Sequence, residues 1–407
     1  MTLTTDAAVT EAAAAPTFTP LVSDFYGMEA TLSEQEKALL MRLRHYLEAE
    51  VKPIVNEHWA RAEFPMPVVK GLAELGIFGL PYPETRSFES SAVFRGWVAY
   101  ELARIDASVA TLVGMQHGLV MGAISVAGSE DQRAEWLPKF ASGELLGCFA
   151  LTEPLSGSDS ARGLRTTATR DGDEWVITGE KRWIGNGTLA THAIVWAKST
   201  DDGQVKGFIV PTATPGYRAT KIENKQALRI VQNADIVLDQ VRVPEANRLQ
   251  KSESFRDTAA VLRLTRAEVA WASVGNSAGA YEAALKYSGE REQFGQTIDN
   301  TQLIQELLAK QLANITSSIA LCTRVSQMLD QGIQRDEHSA LAKEFATSRM
   351  RETVAWARES MGGNGIVLEN DVIRHFADAE ALYSYEGTRE MNTLIVGRAI
   401  TGTAAFV

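Results

Sequence analysis

Apolar positions in the first third of the chain repeat with the period of an α-helix. They begin after Ser33 and Glu36, which have the spacing of a capping box at a helix start. The residues on the apolar face of this first helix are Leu40, Leu43, Leu47 and Val51. Three more helices are predicted over 68–75, 92–105 and 132–140. The chain therefore begins as a helical domain.

The pattern changes near Gly147 to short runs of β-branched and aromatic residues between Gly, Asp and Pro. These runs cover residues 175–177, 193–197, 208–210, 236–238 and 241–243. Their spacing predicts antiparallel β structure, in the form of a small barrel or sandwich. No helical pattern separates the runs, so a doubly wound parallel sheet is disfavoured.

From about Arg256 the sequence returns to long helices. Apolar residues at alternating steps of four and three predict the seam of a helical bundle. They are Leu308, Leu312, Ile315, Ile319 and Cys322. The fold class is thus mainly α with a central β domain. Its predicted parts are an N-terminal tail (1–31), an N-terminal helical domain (32–146), a middle β domain (147–248) and a C-terminal helical domain (249–407).

Composition narrows the classes of function. The formal net charge of -11 argues against non-specific binding to nucleic acid or to an anionic membrane. No membrane span is predicted. The two cysteines, Cys148 and Cys322, argue against a disulfide framework and fit a reducing compartment. Residues 1–20 lack the basic start and apolar core of a signal peptide, so a cytoplasmic location of bacterial type is expected.

Several common catalytic motifs are missing from the sequence. There is no GxGxxG, GxxxxGK[ST] or CxxC pattern, and the six histidines have no metal-ligand spacing. No metal site is therefore predicted. If the chain is an enzyme, a carboxylate or a bound cofactor must carry the reaction.

Two segments of the middle of the chain suit a flat polar ligand. Residues 148–159 mix hydroxyls and glycine where the β domain begins, which suits hydrogen bonding to a heteroaromatic ring. Residues 181–187 place a Trp beside glycines, which suits stacking on such a ring. Each segment also has an ordinary interpretation, the first as a loop and the second as a core Trp next to a turn.

Two further segments lie among the C-terminal helices. The glycines of residues 361–365 either let the backbone approach a ligand closely or end a helix. Thr388 is a candidate N-cap of a helix that starts at about Arg389. Glu386, in the turn before it, either complements the helix dipole or is a base aimed into a cleft at the domain junction. Each of the four segments is a weak signal alone, but their combined order and spacing are a specific signal.

These segments resemble the acyl-CoA dehydrogenase family over essentially residues 20–405. Residues 371–402 are similar to the glutaryl-CoA dehydrogenase branch and its short-chain acyl-CoA oxidase relatives. The resemblance implies FAD as cofactor, an acyl-CoA substrate and a C-terminal four-helix bundle. It also implies an electron-transferring flavoprotein as partner, and a homo-oligomer, at least a dimer and by family habit a tetramer.

The resemblance gives Glu386 the role of catalytic base. It implies that Glu386 takes the α-proton of the thioester while the β-hydrogen leaves as hydride to flavin N5. Burial raises the basicity of such a carboxylate. The Glu386 backbone N–H and an FAD ribityl hydroxyl would polarise the thioester oxygen. Some family members carry the base at the position of Thr265, and a threonine there cannot act as the base.

The resemblance also implies a set of contact residues. Those expected at the flavin are Phe149, Leu151, Thr152, Gly157, Ser158, Trp183, Ile184 and Gly185. Those expected at other parts of FAD are Arg291, Phe294, Gln302, Glu359, Gly362, Gly363, Thr388 and Glu390, of which the first three would reach the FAD of a neighbouring subunit. Those expected at the substrate are Ser158, Arg266, Tyr385, Gly387 and Arg398.

Departures from the family pattern shape the expected chemistry. Gly185 stands where the family has a threonine whose hydroxyl bonds flavin N5, so redox tuning or oxygen access differs and an acyl-CoA oxidase forming H2O2 is an alternative. Glu359 and Glu390 replace residues that are usually amides or shorter. Ala110 stands where the glutaryl branch has an arginine for the distal carboxylate, which disfavours glutaryl-CoA. A short or branched monocarboxylic acyl-CoA is therefore the expected substrate of a dehydrogenase.

Overall fold

A computed structural model describes residues 18–405 of the chain. Its first part is a set of seven helices: α1 (Glu34–Tyr46), α2 (Lys52–Arg61), α3 (Pro67–Glu74), α4 (Ala92–Ile105), α5 (Ala107–Val113), α6 (Gly122–Ala127) and α7 (Glu130–Ala141). The capping box predicted at Ser33 is present, because its side chain accepts from the Glu36 N–H and the Glu36 carboxylate accepts from the Ser33 N–H. The four helices predicted here are confirmed, and their observed bounds differ from the predicted ones by up to two residues. The exception is the first helix, in which α1 is followed by a π-helical turn.

Two π-helical segments, Leu47–Val51 and Gly114–Met121, interrupt the regular helices. The second joins α5 to α6 in one helical stretch, Ala107–Ala127, which is long and apolar enough to cross a membrane by length and composition alone. However, 78% of its most apolar window is buried inside the protein. Such burial is typical of a core helix. A π segment widens a helix locally and often lies at a functional site.

The inner part of the segment predicted as a tail is packed onto the helices. Residues 1–17 lie outside the described part of the chain. Ser23, Asp24 and Glu29 are buried, and the Glu29 carboxylate accepts a hydrogen bond from Arg44 at 2.6 Å. Packing of the N-terminal helical domain therefore begins before residue 32.

The middle of the chain forms a seven-stranded sheet. Its strands are β1 (Gly147–Ala150), β2 (Thr167–Asp171), β3 (Glu174–Ile184), β4 (His192–Ser199), β5 (Val205–Pro211), β6 (Tyr217–Lys221) and β7 (Ala234–Pro244). The strand order is β1-β4-β2-β3-β7-β6, with β5 paired to β4. The only helix inserted between these strands is the short α8 (Ser160–Gly163).

The sheet is mixed, which corrects the prediction of a purely antiparallel one. Strand β4 pairs in parallel with β1 and with β2, while the other pairs are antiparallel. The β-branched pattern of a strand does not encode the direction of its neighbour, so the sequence could not show this. The two runs predicted at 236–238 and 241–243 belong to the single strand β7, whose pairing with β3 shifts register.

The C-terminal part is helical, as predicted. It contains α9 (Phe255–Glu290), α10 (Gln302–Asp330), α11 (Asp336–Ser360), α12 (Val372–Ser384) and α13 (Arg389–Thr401), with a small hairpin of β8 (Glu292–Gln293) and β9 (Gln296–Thr297) after α9. In the predicted seam of α10, Ile315, Ile319 and Cys322 are buried. The order of helical, β and helical parts and the fold class are confirmed.

Helix α9 packs tightly on α4 and joins the two helical domains. A Cβ on Gly275 would lie 2.1 Å from the Tyr100 carbonyl oxygen, so only glycine allows this approach. Farther along, the rings of Trp97 and Trp271 lie 5.3 Å apart. Gly275 also begins a GxSxG pattern, but it lies within α9 and Ser277 donates to the Ser273 carbonyl at 2.9 Å. The pattern is therefore not a nucleophile elbow.

Candidate active site

The turn between α12 and α13 presents Glu386 to the junction of the domains. Glu386 has φ 54° and Gly387 has φ 86°, both in the left-handed region. This conformation is unfavourable for a glutamate and persists only where the surroundings enforce it. Thr388 caps α13, since its hydroxyl accepts from the Met391 N–H at 3.3 Å, which confirms the predicted cap.

Lys343 of α11 is hydrogen-bonded to the backbone of this turn. Its ammonium donates to the Tyr383 carbonyl at 2.9 Å and to the Gly387 carbonyl at 2.7 Å. Burial lowers the pKa of Lys343 to about 8, with the charge of Glu386 acting against that shift. The sequence analysis missed this residue. The signal that could have found it is a lysine on the buried face of a predicted bundle helix, where a charge needs a partner.

Glu386 is half-buried, and it lines a cavity at the domain junction. Thr265 of α9 donates a hydrogen bond to Glu386 Oε2 at 3.0 Å. Burial raises the pKa of Glu386, and this outweighs the Thr265 bond and the charges of Arg266 and Lys343, which lower it. The carboxylate is thus a stronger base than it would be in water.

An apolar cavity of about 240 Å³ lies in front of Glu386. It is enclosed by α4, by α5 with the π segment that follows it, and by α9. The aliphatic residues that line it include Val98, Ala99, Leu102, Leu119, Val269 and Ala272. Its size and largely aliphatic lining suit a small apolar group.

A wider groove of about 870 Å³ adjoins the cavity and is lined by Gly387 and Thr388, the residues that follow Glu386. Leu228, Trp183 and Tyr385 line both the groove and the cavity. Leu228 is in the left-handed region with φ 45°, and Asp378 Oδ1 holds it there by accepting from its N–H at 2.7 Å. The two spaces therefore meet at these three residues, of which Tyr385 directly precedes Glu386 in the chain.

Most of the predicted site residues converge on these two spaces. The cavity is lined by Phe149, Leu151, Thr152, Trp183, Ile184, Gly185, Tyr385 and Glu386. The groove is lined by Thr152, Gly157, Ser158, Trp183, Arg266, Tyr385, Gly387 and Thr388. Residues from the middle domain and from both ends of the C-terminal domain thus meet around one carboxylate.

Other predicted contact residues lie away from the cavity and the groove in the single chain. Arg291, Phe294, Gln302, Glu359, Gly362 and Gly363 are exposed, as are Glu390 and Arg398 on α13. Phe294 is fully exposed at the tip of the β8–β9 hairpin. Asn364 donates to the Tyr287 hydroxyl at 2.7 Å, which brings the glycines near the end of α9 where Arg291 begins the hairpin. The predicted contacts at Arg291, Gly362 and Gly363 are thus exposed and lie near one another around the end of α9.

The residues at the groove fit a flavin. Trp183 has φ 64° and keeps 52% of its side chain exposed, so its indole is available for stacking. Arg266 lines the groove, and its buried Nε has no partner among the described residues. No described residue accepts the Glu386 backbone N–H. A polar planar ligand and a thioester carbonyl would satisfy such groups.

Gly185 is fixed by its contact with Met115. A Cβ at position 185 would lie 2.1 Å from Met115 Sδ, so Met115 occupies the space of a side chain at that position. Met115 belongs to the π segment and lines the cavity. The absence of a threonine here is therefore coupled to the packing of the cavity wall.

The fold and the site define an enzyme with a carboxylate in the wall of an apolar cavity that adjoins a wider groove. Family profiles match nearly the whole chain: Acyl-CoA dehydrogenase, N-terminal domain over residues 33–144, middle domain over 148–241 and C-terminal domain over 255–401. The mitochondrial short-chain specific acyl-CoA dehydrogenase of Mus musculus is 32% identical over 374 residues, which cover 90% of each chain.

Solved structures of similar proteins indicate the same family. Glutaryl-CoA dehydrogenase from Mycobacterium smegmatis is 37% identical with a TM-score of 0.90, covering 95% of this chain and 99% of that one. A structure of a glutaryl-CoA dehydrogenase from the same organism in complex with FADH2 is 34% identical with a TM-score of 0.90, covering 94% and 98%. The chain belongs to the acyl-CoA dehydrogenase family, oxidoreductases that use FAD and act on the CH–CH group of acyl-CoA.

Proposed function

We propose that this protein is a cytoplasmic FAD-dependent dehydrogenase that converts a short or branched acyl-CoA to the trans-2-enoyl-CoA and passes the electrons to an electron-transferring flavoprotein. The observation that carries the proposal is the Glu386 carboxylate, which has a raised pKa and lines the apolar cavity beside the groove. The likeness to short-chain acyl-CoA dehydrogenase supports a short substrate.

The residues of this chain would act as follows. The cavity holds the acyl chain, and its apolar wall excludes water from the reacting carbons. Glu386 removes the α-proton, and its backbone N–H donates to the thioester oxygen, which stabilises the enolate as it forms. Thr265 orients the carboxylate from α9. FAD, when bound along the groove by residues such as Thr152 and Trp183, supplies the acceptor for the β-hydrogen.

An acyl-CoA oxidase is the second candidate, and Gly185 favours it. The position offers no hydroxyl, and Met115 fills the space beside it. An altered environment at this point changes how the reduced flavin meets oxygen. An oxidase would release H2O2 instead of using a flavoprotein acceptor.

A glutaryl-CoA dehydrogenase is a third candidate, favoured by the likeness to the Mycobacterium smegmatis enzyme. Ala110 lines the cavity and offers no charge to a distal carboxylate. This makes glutaryl-CoA a weaker candidate than a monocarboxylic thioester. For any of these reactions we propose a homo-oligomer, because the exposed residues around Arg291 would complete the FAD site of a second copy.

The deciding experiment is anaerobic addition of butyryl-CoA, isobutyryl-CoA and glutaryl-CoA to the purified flavoprotein while the flavin absorbance is recorded. We expect bleaching with a monocarboxylic thioester that persists when air is admitted. Rapid return of colour with H2O2 would make the protein an oxidase. Bleaching by glutaryl-CoA alone would favour the third candidate, and no bleaching with any thioester would overturn the proposal.

A further inference from the structure

The polar side chains in the wall of the acyl cavity include three that can carry a charge and have no part in the proposed reaction. They are Arg95 of α4, His117 of the π segment and Glu268 of α9. His117 Nε2 and Glu268 Oε2 are hydrogen-bonded at 3.0 Å. A neutral hydrocarbon chain needs none of these groups, and their presence costs desolvation free energy whenever the cavity is filled by such a chain.

Glu268 has unused hydrogen-bonding capacity in the cavity. One of its oxygens is bonded to His117, and no described residue donates to the other, Oε1. The side chain keeps 23% of its surface exposed, whereas that of His117 keeps 6%. The Tyr82 hydroxyl donates a hydrogen bond to the backbone carbonyl of His117. This bond fixes the position of His117, which in turn is bonded to Glu268. The carboxylate is therefore fixed in place with one acceptor oxygen left over.

Arg95 supplies the opposite charge without forming an ion pair with Glu268. Its Nη1 donates to the Ser90 carbonyl at 2.6 Å, and the residue is only half-buried. The two charges sum to zero, so the attraction of Arg95 for an anionic acyl tail is opposed by repulsion from Glu268. A neutral group that can both donate and accept hydrogen bonds suits this pair of charges.

Glu268 also lies close to the reacting part of the substrate. It is three residues after Thr265 on α9, which is nearly one helical turn, and Thr265 is hydrogen-bonded to the base Glu386. A Cβ on Gly118, the residue after His117, would meet both Thr265 and Glu268 Oε2. An acyl chain that passes Glu386 therefore runs beside Glu268 within a few carbons of the thioester.

We propose that Glu268, held by His117, is a specificity-determining residue that selects an acyl group bearing a hydroxyl over a plain or carboxylate-ended chain of equal length. A plain chain excludes water from Glu268 Oε1 and offers it no hydrogen bond in return. The charge of Glu268 repels a carboxylate at the end of the chain. A hydroxyl donates a hydrogen bond to Glu268 Oε1. This proposal rests on the proposed acyl-CoA dehydrogenation, since it concerns the same cavity.

The test compares kcat/KM for butyryl-CoA, 4-hydroxybutyryl-CoA and succinyl-CoA, and for the corresponding five-carbon thioesters, in the wild type and in Glu268→Gln and Glu268→Met. In the wild type we expect the hydroxylated chain of at least one length to be favoured over the plain chain by about tenfold or more. Glu268→Gln is expected to reduce this ratio and Glu268→Met to reverse it. Because all substrates use the same base, any effect of the variants on Glu386 cancels in the ratio.

Glu253→Gln, an exposed substitution outside the cavity, is the matched control and is expected to leave the ratios unchanged. If plain thioesters are oxidised but the ratio is the same in the wild type and both Glu268 variants, the His117–Glu268 pair is only a tie between α9 and the π segment, and the proposal is overturned. Preference for the carboxylate-ended chain, lost in Arg95→Met, would also overturn it in favour of Arg95. If no thioester reduces the flavin, the proposed function itself has failed.

Discussion

Thr265 and Glu386 are 121 positions apart in the sequence, and the threonine hydroxyl donates a hydrogen bond to Glu386 Oε2 at 3.0 Å. Thr265 thus contributes a donor at the point where some relatives carry the base. The bond favours the ionised carboxylate, while burial disfavours it. The charges of Arg266 and Lys343 also favour the ionised form, so the basicity of Glu386 is the balance of burial against the Thr265 bond and these two charges.

Glu386→Gln removes the base while keeping the size of the side chain. We expect kcat for the acyl-CoA substrate to fall by about 10²–10⁴-fold, the usual contribution of a positioned general base. Flavin content and thioester binding should persist, because neither depends on the charge of the carboxylate. Stopped-flow measurement of flavin reduction tests this, and a rate near that of the wild type would exclude Glu386 as the base.

The pH dependence of kcat/KM should show the raised pKa of Glu386. Activity requires the ionised form, so it rises with pH through an apparent pKa above the ordinary glutamate value of 4.5. Thr265→Val removes a bond that favours the anion, so its acid limb should move to higher pH. Thr265→Ser keeps the hydroxyl and should restore the wild-type limb. Identical profiles for the Val and Ser variants would contradict this role.

Lys343→Met should loosen the turn that carries Glu386. The substitution leaves the Tyr383 carbonyl without its donor, which costs about 1–3 kcal/mol of unfolding free energy, while the Gly387 carbonyl keeps the hydrogen bond from Asn392 Nδ2 at 2.9 Å. We also expect a lower kcat and an acid limb shifted to higher pH, because a positive charge near the base is lost. Urea unfolding and pH profiles test both. A loss of stability with unchanged kinetics would limit Lys343 to a structural role.

Gly185→Thr should change the selection of acyl chain length through Met115. The new Cβ would lie 2.1 Å from Met115 Sδ, so the thioether must move. Because Met115 lines the cavity, this movement should shift the preference toward shorter acyl groups. The double variant with Met115→Ala should recover the original preference. An unchanged chain-length profile in the single variant would show that Met115 moves elsewhere.

Arg291→Ala should weaken retention of FAD without affecting the chemical step. Arg291 is exposed and lies outside the cavity and the groove of its own chain, so its effect depends on a second copy. We expect a reduced flavin-to-protein ratio after gel filtration, with normal flavin reduction in the fraction that stays loaded. Full flavin content in the variant would contradict the composite site.

The sequence by itself determined the order of the domains and singled out Glu386 as the candidate base. Helical periodicity around Leu40 and along α10, and short β-branched runs between them, depend only on local spacing, so they are legible without a structure. The Ser33 and Thr388 caps are also local, because a cap bonds to backbone two or three residues away. Glu386 was found because its neighbours in the turn form a compact motif.

Only the tertiary structure decided how the base is supported and what surrounds it. The bonds from Thr265 and Lys343 to the Glu386 turn span 121 and about 40 positions, and no local pattern records such pairs. The parallel pairing of β4, the contact of Met115 with Gly185 and the position of Glu268 in the cavity wall depend in the same way on distant segments. Local spacing sets which residues face inward, whereas the packing of whole helices and strands sets which residues they meet.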